Sequence, residues 1–167
     1  PRLAGCDASS APGAFATGTA LYLCLFGAEG ASTNGRIVLI RSNHGGSWEY
    51  RGSLLVNTND GPALGCHGFS APALYEKNGI RYLLVTPQTN DRYLGTRIFR
   101  IADLDAATLV RDGGIPRTIS SIPGTAGSHH GAAAWIPEAT GCGILYSEVL
   151  IQEPLVFRIY ASGINPP

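Results

Sequence analysis

The chain contains three similar segments at nearly constant spacing. Residues 6–22 read CDASSAPGAFATGTALY and residues 66–82 read CHGFSAPALYEKNGIRY, and the two segments align without a gap. A third segment, GSHHGAAAWIPEATGCGILYSE at 127–148, aligns with the second when Gly127 is placed on Gly65 and His129 on His67. Regular spacing of this kind is typical of folds built from one repeated supersecondary unit. The alignment predicts a single domain over 1–167 with three units, at about 5–60, 65–122 and 127–167.

Short runs of β-forming residues fill each unit. They include ALYLCLF at 20–26, RYLLVT at 81–86, TRIFRIA at 96–102 and LVFRIY at 155–160, and 22 Gly and 11 Pro punctuate the chain. Runs of this length and composition are typical of strands. The one helical candidate, IADLDAATLV at 101–110, could equally be a strand corner. Each unit has room for four strands, and four antiparallel strands repeated radially describe a β-propeller blade. We therefore predict an all-β propeller with three four-stranded blade repeats.

Charge and hydropathy exclude two classes of partner. The chain carries 12 basic and 12 acidic residues, which gives a formal net charge of zero. A balanced surface has no general affinity for nucleic acid or for anionic lipid. The sequence also lacks an apolar run of about 18 residues, the length that a transmembrane helix needs. We predict neither a nucleic-acid partner nor a membrane partner.

The segment RSNHGGSW at 41–48 resembles the Asp-box of sialidase-type propellers, Ser-x-Asp-x-Gly-x-Thr-Trp. Asn43 takes the place of the Asp, Gly45 of the Gly, Ser47 of the Thr and Trp48 of the Trp, whereas Arg41 departs from the Ser. In that family the motif is a structural turn between the third and fourth strands of a blade. The resemblance supports the fold and carries no catalytic role.

A second resemblance is to furanosidase-type glycosidases. The segment SAPALYEKNGIRYLLVT at 70–86 is similar to their blades, which read Ala-Pro, apolar residues, Asn-Gly and then Tyr-Tyr-Leu. In those enzymes the starts of the innermost strands carry a general base, a helper Asp and an acidic Glu. The equivalent positions here are Asp7, His67 and His129, so the resemblance implies Asp7 as a catalytic base. No Glu stands at the acid's place, and Glu148 and Glu153 are substitutes at other positions.

The starts of the innermost strands lie near the propeller axis, and the histidines at this axial level have three interpretations. His67, His129 and His130 could contact a sugar together with the aromatic residues Tyr75 and Trp135. Asp7, His67 and His129 could instead hold a transition metal, because carboxylate and imidazole are suitable ligands. The histidines could also simply line a water-filled tunnel. We predict no cofactor, and the leading function is glycan recognition at the axial face. The alternatives are a propeller-type glycoside hydrolase and a non-catalytic structural or assembly module.

Four cysteines, at positions 6, 24, 66 and 142, bear on the cellular compartment. They are compatible with two disulfides in a secreted or periplasmic protein, and four cysteines can pair in three ways. Buried free thiols are the alternative. Because Cys6 and Cys66 occupy the same place in consecutive units, we predict a disulfide between them.

Blade number bears on assembly. Propellers typically have four to eight blades, so three repeats cannot close a ring. We predict a homodimer in which a second chain completes six blades. The alternative is that these repeats belong to a longer propeller.

Overall fold

Antiparallel sheets make up nearly all of the regular structure in the computed structural model of the chain. The structure describes residues 5–28, 35–90, 92–124, 129–135, 143–152 and 155–161. Sheet 1 has the strand order β1-β2-β3-β4, with each strand antiparallel to the next. Its strands are β1 (Ala8–Ala16), β2 (Leu21–Ala28), β3 (Arg36–Ser42) and β4 (Trp48–Val56).

Sheets 2 and 3 repeat this meander. Sheet 2 has the order β5-β6-β7-β11, and the short strand β8 also pairs with β7. Sheet 3 has the order β12-β13-β14 within the described residues, and β9 and β10 form a separate small hairpin. The remaining strands are β5 (Gly68–Lys77), β6 (Ile80–Gln88), β7 (Gly95–Asp103), β8 (Thr108–Leu109), β9 (Arg111–Asp112), β10 (Ile115–Pro116), β11 (Thr118–Pro123), β12 (His129–Trp135), β13 (Ile144–Gln152) and β14 (Leu155–Ala161). The predicted all-β class is confirmed.

Helical structure occurs at a place that the sequence did not indicate. The helical candidate at 101–110 forms the end of β7, a turn and β8. The one helix of the described residues is α1 (Asn57–Ala63), which connects β4 to β5. Its sequence, NTNDGPA, has the composition of a turn.

The first strand of each sheet contains a bulge. We call these three strands, β1, β5 and β12, the inner strands. The pairing of β1 with β2 shifts between Ser10 and Gly13, that of β5 with β6 between Ser70 and Ala73, and that of β12 with β13 between Gly131 and Ala134. An alanine with positive φ lies at each bulge: Ala11 (φ 51), Ala71 (φ 44) and Ala132 (φ 51).

The bulges correct the alignment of the third unit. They place Ala132 on Ala71, whereas the sequence alignment placed Ala133 there. The pairings agree, because Ala134 faces Leu145 in sheet 3 as Ala73 faces Leu84 in sheet 2. His129 is therefore equivalent to Gly68, and the equivalent of His67 is position 128, which lies outside the described residues.

Sheet 2 packs through both of its faces, because side chains alternate along a strand. We call the face that points toward the next sheet along the chain the forward face, and the opposite one the rear face. Tyr22 and Cys24 on the forward face of sheet 1 share a core with Leu83 and Val85 on the rear face of sheet 2. Leu84 on the forward face of sheet 2 shares a second core with Ile144 on the rear face of sheet 3.

The turn that resembles an Asp-box connects β3 to β4, where the resemblance placed it. The Ser42 hydroxyl donates to the Gly46 carbonyl at 2.9 Å, and the Gly46 N–H donates to the Asn43 carbonyl at 2.9 Å. His44 (φ 29) and Gly45 (φ 92) provide the left-handed backbone of the turn. The side-chain hydrogen bond across this turn thus comes from Ser42, one residue before the position that the motif assigns to Asp. Its identity as an Asp-box, with the roles of Ser47 and Trp48, stays a prediction.

Candidate functional site

The inner strands β1, β5 and β12 lie side by side. β1 packs on β5 and β5 packs on β12. A Cβ at Gly13 would lie only 2.5 Å from the Pro72 carbonyl oxygen and 2.9 Å from the Ala73 Cα, so β1 and β5 touch backbone to backbone. On the other side, the Ala132 N–H donates to Thr86 Oγ1 at 2.7 Å. The three bulges therefore meet at one place in the fold.

An open groove of about 370 Å³ follows the line where the bulges meet. Its lining comes from residues 11–14, 71–74 and 132–135, all of which belong to inner strands. These are Ala, Pro, Gly and Leu residues together with Trp135, so none of the lining side chains titrates. The groove therefore offers a ligand a concave apolar surface with the Trp135 ring beside it. Any acidic, basic or charged group that contacts the ligand must come from residues at the ends of the strands.

Asp7 and His67 lie at the starts of two of these strands in equivalent positions. The Asp7 N–H donates to the Ala28 carbonyl and the His67 N–H to the Gln88 carbonyl, both at 2.9 Å, and each pair is separated by the same number of residues. Both side chains are exposed. His67 Nδ1 lies 2.9 Å from Asn90 Oδ1. Because an amide oxygen only accepts, Nδ1 is the donor in this contact, and Nε2 is the acceptor of the ring whenever the ring is uncharged.

Asn90 is a residue that the sequence analysis missed. It stands just after β6 in the segment PQTN and orients the His67 ring from there. Its only signal in the sequence is a polar amide at the end of the strand beside the His67 strand.

The other two histidines differ from His67. His129 is the first residue of β12, and its side chain lies outside the described part of the chain. His130 is 4% exposed, with Nδ1 3.0 Å from the Pro123 carbonyl oxygen and its ring edge-on to Tyr146 at 4.0 Å. His130 Nε2 is buried without a partner among the described residues. His130 is thus packed between sheets 2 and 3, away from the open groove.

Tyr75 and Trp135 belong to an aromatic stack. The Tyr75 ring lies 5.0 Å from the Tyr82 ring at 16° and 5.3 Å from the Trp135 ring at 19°. Both faces of Tyr75 are therefore covered, the residue is 4% exposed, and burial raises the pKa of its hydroxyl above the usual value. Trp135 is half-buried and also lines the groove. Of the two aromatic residues predicted to bind ligand, only Trp135 has a surface that a ligand can reach.

Metal binding at Asp7, His67 and His129 stays a prediction. Among the described side chains no group of three or more His, Cys, Asp or Glu lies close enough to hold a metal ion. The side chain of His129 is not among the described ones. Of the two substitutes for the acid, Glu148 lies in β13, opposite His130 on one side and Arg158 on the other, and Glu153 lies outside the described residues.

The structure contains no disulfide between Cys6 and Cys66, which corrects that prediction. Cys6 packs toward its own sheet, because a Cβ at Gly27 in β2 would lie 2.6 Å from Cys6 Sγ. Cys66 is 4% exposed and belongs to the core between sheets 1 and 2. Equivalent positions in consecutive sheets therefore do not bring the two sulfur atoms into a bond. Cys142 lies outside the described residues.

Cys24 provides a test of this arrangement. It has no exposed surface, and burial raises the pKa of its thiol to about 12. At pH 8 the thiolate form is then only roughly one ten-thousandth of the Cys24 population. Only the thiolate reacts with alkylating reagents. We expect iodoacetamide to leave Cys24 unmodified in the folded protein and to modify it fully in guanidinium chloride. Equal labelling rates in the two states, or a Cys6–Cys66 peptide in a non-reducing map, would contradict the described cysteine environments.

The fold is similar to that of propeller glycoside hydrolases. It matches an endo-arabinase from Bacteroides thetaiotaomicron with a TM-score of 0.62 and 18% identity, over 89% of this chain and 48% of that one. It matches a family 117 glycoside hydrolase from Zobellia galactanivorans with a TM-score of 0.54 and 11% identity, over 99% of this chain and 58% of that one. It matches a sucrose-6-phosphate hydrolase from Lactobacillus gasseri with a TM-score of 0.52 and 17% identity, over 83% of this chain and 28% of that one.

The chain spans less than two thirds of each of these structures. No protein-family model matches the sequence, and no curated protein is significantly similar to it. In the described residues, no helix has the length and apolar character needed to cross a bilayer. At these identities the comparisons establish the fold, and function has to be argued from the residues.

Proposed function

We propose that the chain binds carbohydrate at the starts of its inner strands, beside the groove where the three bulges meet. One observation carries the proposal. Asp7 and His67 are exposed at equivalent strand starts, next to inner strands whose bulges line an open groove with Trp135 at its edge. Glycoside hydrolases share this fold, which supports a glycan as the ligand.

The chemistry of these groups suits a sugar. A carboxylate at Asp7 accepts hydrogen bonds from sugar hydroxyls, and His67 Nε2 accepts another because Asn90 holds the proton on Nδ1. Trp135 is the last of the seven residues of β12, so its exposed surface would contact a neighbouring sugar unit of an extended glycan rather than the unit at the strand starts. Concave sites with a few convergent polar groups are the usual form of small-ligand sites.

Hydrolysis is the second candidate. In it, Asp7 would act as a general base, and a general acid would be required at a distance that leaves room for sugar and water. Glu148 is the candidate acid on sheet 3, where it lies opposite His130 and Arg158. If the axial residues contact no glycan, the chain is a structural or assembly module.

Ring completion belongs to the same proposal. Sheets 1, 2 and 3 would be three blades, and a second copy would complete the ring to six. The endo-arabinase is roughly twice as long as this chain, which covers 48% of it, so the rest of such a ring is either a second copy or further blades of a longer chain. We place the protein outside the cytoplasm, secreted or periplasmic, where polymeric glycans are encountered.

Substitution of Asp7 tests the site. We expect titration calorimetry to detect binding of arabino- or fructo-oligosaccharides, and Asp7→Asn to weaken it about 10-fold or more, because hydrogen bonds to a charged group are the stronger ones. The control is Asp112→Asn, since that side chain is 71% exposed on the β9–β10 hairpin. Release of nitrophenol from para-nitrophenyl arabinofuranoside, lost in Asp7→Asn, would identify a hydrolase. No binding at millimolar sugar, or equal affinities for the two variants, would refute the proposal.

A further inference from the structure

The two sheet–sheet interfaces within the chain differ in polarity at one level of the fold. In sheet 1, Ser10 is the third residue of β1 and the last paired residue before the bulge. Ser10 begins a row of facing residues that crosses the sheet, because it faces Phe26, and Phe26 faces Ile37. Both of these apolar side chains pack in the core between sheets 1 and 2.

Sheet 2 has threonines at the matching positions. Ser70 is the third residue of β5 and the last paired residue before its bulge, and it faces Thr86. Since Val85 faces Arg97, the same register places Thr86 beside Thr96. Thr86 and Thr96 are 0% and 1% exposed. They therefore bring two buried hydroxyl groups to the interface with sheet 3, where the row of sheet 1 brings apolar groups.

Sheet 3 contributes a polar residue to the same interface. Gly131 is the last paired residue before the bulge of β12, as Ser70 is in β5, so His130 is equivalent to Phe69. Phe69 is 0% exposed in the core between sheets 1 and 2, and His130 is 4% exposed between sheets 2 and 3. Three apolar positions of one interface are thus polar in the other: Phe26, Ile37 and Phe69 correspond to Thr86, Thr96 and His130.

The three polar residues lie close together, and we call Thr86, Thr96 and His130 the buried polar set. A Cβ at Gly131 would overlap the Thr86 side chain, so β12 crosses directly over Thr86. The His130 backbone forms a parallel bridge with Leu94, two residues before Thr96. His130 therefore packs against the part of sheet 2 that carries both threonines.

Two atoms of the buried polar set, Thr96 Oγ1 and His130 Nε2, are buried without a hydrogen-bond partner among the described residues. His130 Nδ1 donates to the Pro123 carbonyl at 3.0 Å, because that oxygen only accepts, so Nε2 is the acceptor of the ring whenever the ring is uncharged. Thr86 Oγ1 accepts from the Ala132 N–H at 2.7 Å, and its own hydroxyl hydrogen can still be donated. Buried polar groups are nearly always hydrogen-bonded in folded proteins, since leaving one unpaired costs free energy.

We propose that the buried polar set binds an ordered water molecule between sheets 2 and 3. Water both donates and accepts, as one imidazole nitrogen and two hydroxyl groups require. A buried water typically makes about three hydrogen bonds, which is the number of groups in the set. A larger ligand is disfavoured, because all three side chains are almost fully buried. The inference does not depend on sugar binding, since these groups lie inside the sheet packing.

The test is Thr96→Val, which keeps the shape of the side chain and removes its hydroxyl. We expect the folding equilibrium constant from urea denaturation to fall about 10-fold, because a hydrogen bond to the water is lost. In a dry interface the same substitution would remove an unpaired polar group and stabilise the protein, so the sign of the change decides.

Two threonines provide matched controls. Thr86→Val removes the acceptor of the Ala132 N–H, so it should lower the folding equilibrium constant whether or not water is bound. Thr118 is exposed on β11, and Thr118→Val should stay within about 2-fold of the wild type.

A double-variant cycle tests whether Thr96 and His130 share the water. His130→Phe introduces the residue found at the equivalent position in sheet 2, Phe69. If both side chains bind one water, Thr96→Val with His130→Phe should lose less than the product of the two single losses. Losses that simply multiply, or a Thr96→Val protein as stable as the wild type, would overturn the proposal.

A high-resolution crystal structure of the wild type decides the question without any variant. Electron density for a water within about 3.2 Å of both Thr96 Oγ1 and His130 Nε2 would confirm the site. Density that shows the two atoms bonded to protein groups, or no water between them, would overturn it.

Discussion

Replacing Gly95 with alanine is expected to reduce the free energy of unfolding by about 3 kcal/mol or more, because two separate costs add at one position. Gly95 opens β7 with φ +98, a backbone conformation that glycine adopts freely and alanine does not. A Cβ there would also overlap the Ile122 carbonyl oxygen and lie 2.6 Å from the Gly124 nitrogen. These are backbone atoms of β11 and the turn after it, so no side-chain rotation can relieve the overlap. Urea denaturation followed by circular dichroism measures the loss.

Alanine substitutions at two other glycines separate the conformational cost at Gly95 from the cost of steric overlap. Gly79 has φ +74 in the Asn-Gly turn between β5 and β6, and a Cβ there would meet no atom within 4 Å. Gly79→Ala should therefore cost only the conformational part, about 1 kcal/mol. Gly18 has neither positive φ nor a neighbour within 4 Å, so Gly18→Ala should be within about 0.5 kcal/mol of the wild type. If Gly95→Ala costs no more than Gly79→Ala, the close packing of β7 on β11 is wrong.

The strands were predictable because their signals are local. Runs such as RYLLVT and TRIFRIA have enough β-branched and aromatic residues, between Gly and Pro, to define β6 and β7 in the right order. The Asn-Gly pair at 78–79 marks the hairpin turn between β5 and β6. Both residues have the positive φ that such a turn requires, 53° and 74°. The repeat spacing then relates the strands of sheet 2 to those of sheet 1.

The bulges were not predictable from the sequence, and they decide the register of the third unit. Ala11, Ala71 and Ala132 adopt positive φ although alanine has no local preference for it. Tertiary packing imposes the conformation, since β1 meets β5 backbone to backbone at Gly13 and β12 packs against the Thr86 side chain at Gly131. An alignment by residue identity therefore placed His129 on His67, one position away from the equivalence that strand pairing gives.

The same limit applies to the candidate site. Asp7 and His67 were chosen as residues at strand starts, and the structure exposes both. His130 was grouped with the axial histidines and Tyr75 was chosen as an aromatic residue that could stack on a sugar, and both are 4% exposed in the packing between sheets 2 and 3. A residue's type indicates what it can bind, but which face of the strand it occupies depends on register, and one residue of shift reverses that face.

The helix α1 was missed because its stability comes from a side chain that is distant in the sequence. Seven residues containing Asn, Gly and Pro have low intrinsic helix propensity. Asp60 holds the segment in place: its carboxylate accepts from the Val56 N–H at 2.8 Å and from Arg111 Nη1 at 2.8 Å and Nη2 at 3.3 Å. Arg111 belongs to β9 and also donates to the Leu54 carbonyl at 3.4 Å and the Gly114 carbonyl at 2.8 Å. This ion pair, with a buried carboxylate and a half-exposed guanidinium, thus connects the end of sheet 1, the helix and the hairpin.

Asp60→Ala is accordingly expected to lower the free energy of unfolding by about 2–3 kcal/mol, because it removes a buried carboxylate that accepts hydrogen bonds from the Val56 N–H and from the Arg111 guanidinium. The Asp60 side chain is 6% exposed and that of Arg111 is 35% exposed, so water offsets part of the cost on the arginine side. The matched control is Glu76→Ala, which breaks the pair with Arg81 at 3.0 Å between side chains that are 40% and 42% exposed. That exposed pair should contribute no more than about 1 kcal/mol. Asp60→Asn keeps an acceptor for the Val56 N–H and should fall between Asp60→Ala and the wild type. Equal losses for Asp60→Ala and Glu76→Ala in urea denaturation would show that the Asp60–Arg111 pair does not hold the helix between sheets 1 and 2.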